Sequence, residues 1–179
     1  MKNWFMCGFL VVVTPLLCAH SPWGQYQVYR QKHLLIMSTI PDEPTYAFSL
    51  RLVAAINEAL PEAKARPARA KHFERVHSLF DTKQMQLMLL SLDNAAAALE
   101  GTGPFAEMRP LQFRVVYQFG DLQLLAQIDF PDQHAWLLTN AIMYSEDISD
   151  QVDDPDELAL QPNLHPGSMA ALNHQPFPE

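Results

Sequence analysis

Two short segments hold the polar side chains best suited to grip a small solute. Ser38 to Tyr46 reads STIPDEPTY and Ser91 to Asn94 reads SLDN. Each follows an apolar run and precedes a helical pattern, and at such a junction the amides of the helix start can hold an anion. Within them Ser38, Thr39, Thr45, Tyr46, Ser91 and Asp93 offer hydroxyl, phenol and carboxylate groups. Thr45 and Asp93 have another role open to them, because either can cap the helix that follows it. Tyr46 is either a hydrogen-bonding wall or a packed aromatic.

Other chemistry is poorly supported. His72 and His77 are five apart, so on a helix they face different directions and cannot pinch a zinc ion as residues four apart can. Asp150, Asp153, Asp154 and Asp156 share only composition with a calcium loop, lacking its turn glycine and closing glutamate, and read as a solvated stretch. The 6 glycines of the chain form no phosphate-cradling loop, and no Gly-x-Ser-x-Gly elbow is present. With no nucleophile and base that can be placed together, the expectation is a non-enzymatic protein without cofactor or metal.

The elements that would position these residues alternate. His33–Ser38 is a continuous apolar run suited to a strand covered on both faces. From Thr45 to Leu60, Phe48, Leu52, Ile56 and Leu60 recur at helical spacing until Pro61. Ala63–Ala70 suits a second strand that Pro67 restricts to an edge or an irregular position, and Lys71–Thr82 suits a helix. Met85–Leu90 is another buried run, followed by a helix through Ala95–Glu100 that Gly101 and Gly103 end. This order predicts a mainly parallel sheet with crossover helices, an α/β fold. Leu111–Tyr117 and Leu122–Ala126 read as two more strands around Gly120 and Asp121, and Asp132–Asp147 as a helix. Glu146–Glu157 then carries 7 acidic residues and no basic one, which reads as a linker. The proline-rich tail after it is expected to be irregular and loosely packed.

At the N-terminus, Lys2 precedes an uncharged stretch from Trp4 to Leu17. Its 14 residues, broken at Pro15, fall short of the about 20 that span a bilayer. The order matches a secretory signal, here expected to be cut after Ala19. Acylation of Cys18 is the alternative, disfavoured by the large Leu17 before it. Domain boundaries follow: a signal over 1–19, an α/β lobe over 20–148, and an acidic linker with a Pro-rich tail over 149–179. The mature chain would contain no cysteine. With Lys2 removed, 11 basic face 20 acidic residues, a net charge of −9, which argues against nucleic acid or anionic lipid as a partner.

Three segments in order give the chain a resemblance to a known family. STIPDEPTYAFSLRLVAAIN, QMQLMLLSLDNAAAALEGTGPF and PNLHPGSM are similar to segments of the TAXI-type solute receptors of tripartite (TRAP) transporters, which are periplasmic binding proteins. The resemblance implies a periplasmic-binding-protein-like lobe, a periplasmic location, a role in transport, and ligand contacts at Thr45, Tyr46, Ser91 and Asp93. It also implies a small-molecule solute, or a periplasmic or membrane transporter subunit, as partner.

Two departures qualify the resemblance. Pro41, Asp42 and Glu43 stand where the family has glycines that let backbone approach a ligand. The strand Leu122–Ala126 runs almost directly into Phe130 and the late helix, so the stretch that builds a second closing lobe is absent. A solute is then enclosed on one side only, unless another chain supplies the missing wall. The expectation is therefore a single-lobe protein that binds a solute weakly or with a partner chain, with a single-lobe interaction module as the alternative.

Overall fold

A computed structural model describes residues 32–149, 154–161 and 163–178. The segment read as a signal, with Cys7, Cys18 and the junction after Ala19, lies outside the described residues. So do Asp150 and Asp153 of the acidic stretch and Pro162 of the tail.

Helical and strand periods alternate as the sequence requires. The apolar run forms β1 (Leu35–Thr39), buried from Ile36 onward. Helix α1 (Thr45–Ala59) turns Phe48, Leu52, Val53, Ala55 and Ile56 inward, and the chain leaves it at Leu60, before Pro61. Next come β2 (Arg66–Ala70), α2 (Phe73–Asp81), β3 (Leu87–Ser91) and α3 (Leu92–Glu100). Helix α3 ends where Gly101 adopts φ +68°, a left-handed conformation that costs glycine little. A hairpin follows, β4 (Phe113–Phe119) and β5 (Leu122–Gln127), then α4 (Asp132–Met143), the single turn α5 (Pro155–Leu158) and α6 (Pro166–Leu172).

The five strands form one open sheet in the order β2-β1-β3-β5-β4. β1 is parallel to both β2 and β3, while β5 pairs antiparallel with β3 and with β4. The fold is thus α/β, with β5 alone running against the other strands. Pro67 is accommodated because β2 is an edge strand. The chain steps from β1 outward to β2 and then back across β1 to β3. Right-handed crossovers in opposite directions put α1 and α2 on opposite faces. The strand order reverses between β1 and β3, where a doubly wound sheet opens its binding crevice.

The C-terminal segment departs from expectation. Rather than an irregular, loosely packed tail, it is built into the sheet and the helical layer. Val115 of β4 donates its N–H to the Asn163 carbonyl and accepts the His165 N–H, both at 2.8 Å, and Leu164 forms a parallel bridge with Val115. The tail therefore covers part of an edge that would otherwise expose unpaired backbone groups. Pro166 starts a helix instead of preventing one, because a first-turn residue needs no intrahelical N–H. Helix α6 packs on α4 so closely that a Cβ on Gly167 would lie 2.0 Å from the Asp132 carbonyl oxygen. The late helix also stops at Met143, and residues 146–149 form a separate turn closed by Ser149 on the Glu146 carbonyl.

Candidate functional site at the strand carboxyl ends

The crevice between β1 and β3 is where the sequence places its candidate ligand contacts. The loop that leaves β1 is short and carries Asp42 between Pro41 and the cis Glu43–Pro44 peptide. It runs past the end of β3, so the Asp42 side chain, only 3% exposed, reaches across the crevice. Its Oδ2 accepts the Ser91 backbone N–H at 2.9 Å. Its Oδ1 accepts from Asn94 Nδ2 at 2.8 Å.

Two more amides at the start of α3 are also engaged. Leu92 N–H donates to the Asp121 carbonyl at 2.8 Å, which ties the β4–β5 turn to this corner. Asn94 N–H donates to Ser91 Oγ at 3.4 Å, and Asn94 Nδ2 reaches the same hydroxyl at 3.0 Å. A carboxylate, a carbonyl and a hydroxyl from this chain thus occupy donors that would otherwise favour an external anion.

Each predicted residue has a definite place. Ser38 and Thr39 are fully buried, and their hydroxyls donate to the Ala68 and Ala70 carbonyls of β2 at 3.3 Å each. Thr45 is buried at the first position of α1, and its hydroxyl donates to the Asp42 carbonyl at 2.6 Å. It does not cap α1, whose cap position is Pro44 with no side-chain bond. Tyr46 is half-buried, with the Arg69 guanidinium 4.4 Å from its ring centroid, a cation–π arrangement across to β2. Ser91 is the cap of α3. The capping role open to Asp93 therefore belongs to Ser91, because α3 begins two residues earlier than a cap at Asp93 would set; Asp93 is exposed in the first turn.

The structure brings Thr45, Asp42, Ser91 and Asn94 into one hydrogen-bonded cluster. Ser38 and Thr39 instead serve the β1–β2 ladder. Asp42 and Asn94 are the residues that sequence reasoning did not assign. Their signal was an acid between two prolines after one strand, and an asparagine three residues after a serine that ends another. Among the described residues no group of three or more histidine, cysteine or acidic side chains could hold a metal ion. No described helix is long and apolar enough to cross a membrane.

No protein-family model matches this sequence, and no curated protein matches it.

Proposed function

We propose that this chain works as a single α/β lobe that docks a protein partner on the outer side of the cytoplasmic membrane, and that it does not trap free solute. The observation that carries this reading is Asp42, whose carboxylate accepts from the Ser91 amide and from Asn94 across the crevice. A solute carboxylate entering there would meet a buried negative charge and would have to displace bonds already made. An imperfectly repaid exchange of that kind costs affinity. The TAXI-like order of segments supports descent from a solute-receptor lobe, and it suggests a transporter subunit as the partner class.

A second reading retains solute binding. The same three segments favour it, with a partner chain closing the open side and Asp42 moving aside as the solute enters. Titration calorimetry of the purified protein against a panel of small carboxylates, amino acids and sugars separates the two readings. Docking predicts no heat from any panel member, together with saturable capture of one envelope protein that untagged chain competes away. Heat from a panel member without such capture would overturn it.

A further inference from the structure

Away from the strand carboxyl ends, the C-terminal parts of α1 and α4 flank an open groove of about 620 Å³. That volume lies within the range of binding clefts, roughly 300–1,000 Å³. Its lining is of two kinds. Leu60, Leu137, Ala141 and Tyr144 supply apolar surface, and Tyr144 is 71% exposed. Glu58, Glu146 and Asp147 supply carboxylates, and no ion pair among the described residues engages them.

The acidic side of the groove is held in place. Arg51 of α1 donates from Nη2 to the Asp147 carbonyl at 2.6 Å, and Ile148 is fully buried beside it. The turn over residues 146–149 therefore presents Glu146 and Asp147 at the groove. An apolar floor with a fixed negative rim is complementary to a surface of opposite charge and like apolarity.

From this charge complementarity we infer that the groove is the docking surface for a basic amphipathic segment of a partner protein, one in which Lys or Arg flanks leucine-sized side chains. The inference rests on the docking function proposed above and gives it a location and a partner chemistry. The apolar side chains would cover Leu137 and Tyr144 while the cations meet Glu58, Glu146 and Asp147. An open groove suits a chain segment, whereas a small solute is held best where most of its surface is enclosed.

Fluorescence anisotropy tests this with three labelled synthetic peptides of equal length, built from Lys and Leu, from Lys and Ser, and from Glu and Leu. The Lys/Leu peptide is expected to bind the purified protein at least about tenfold more tightly than either control. Two exposed-site variants, Tyr144→Ser and the double charge reversal Glu58→Lys with Glu146→Lys, should each weaken it by about tenfold, checked against unchanged circular dichroism. Equal binding of the Lys/Ser peptide would mean plain attraction to an acidic protein and would overturn the inference, as would binding indifferent to both variants. Envelope capture that survives in the groove variants removes the groove but leaves the docking function standing. Loss of all capture alongside solute heat removes both.

Discussion

Asp42 and Ser91 lie 49 residues apart in the chain, and Asp42 Oδ2 accepts the Ser91 backbone N–H at 2.9 Å. The bond joins the exit of β1 to the exit of β3 at the point where the strand order reverses. It gives the crevice an internal anion in the position where related architectures hold a ligand. Asp42 thus belongs to the fold as a clamp, and its removal should be felt in stability and in ligand preference together.

Asp42→Ala should lower stability by about 1–3 kcal/mol, because the Ser91 N–H and the Asn94 side chain lose a buried acceptor. Formate should restore part of that loss by occupying the vacated position, while chloride at equal ionic strength should not. Urea denaturation midpoints with each salt measure both effects. A variant as stable as the parent would show that the clamp contributes nothing.

Gly167→Ala reverses the usual helix preference. In an exposed helix the change stabilises by up to about 1 kcal/mol, but here the new Cβ meets the Asp132 carbonyl oxygen at 2.0 Å. Backbone must move to admit it, and a loss of about 3 kcal/mol is expected. Thermal denaturation supplies the check through the direction of the change.

His165 links stability to pH. It is 1% exposed, its Nε2 bonds to the Phe130 carbonyl at 3.0 Å and its Nδ1 accepts the Gly167 N–H at 3.2 Å. Burial pushes its pKa below the ordinary 6.5, against the opposing pull of the Phe130 carbonyl and the Asp132 charge; Arg114 adds to the lowering. The unfolded chain therefore takes up a proton at higher pH than the folded one, so His165 makes the protein less stable as pH falls below 6.5. His165→Gln should flatten that part of the stability profile, measured by urea denaturation across a pH series.

Truncation after Ser149 should leave a chain that self-associates. It removes the Asn163 and His165 partners of Val115 and uncovers the α4 surface on which α6 rests. An edge with unpaired backbone beside exposed apolar surface invites pairing between copies. Analytical ultracentrifugation of the truncated and full chains tests this, and a stable monomeric truncation would contradict it.

Much of the layout was legible before any coordinates. Strand runs such as Met85–Leu90, the helical spacing of Phe48, Leu52 and Ile56, and the breaks at Pro61 and Gly101 report local conformational preference and burial. Those signals act within a few residues of themselves. They were sufficient for an α/β sheet, and Pro67 narrowed β2 to an edge or an irregular position, of which the strand order shows the edge.

What the sequence could not supply was where distant polar groups meet. That Asp42 would bond to Ser91, that Ser91 and not Asp93 would cap α3, and that a proline-rich tail would complete the β4 edge all depend on surfaces adjacent only after folding. Hydrogen bonds operate over about 3 Å, so neither composition nor spacing reports a partner 49 residues away. The chain's own pattern determined its layers and the residues available for a site. Tertiary packing alone decided which of the site's donors are satisfied from within.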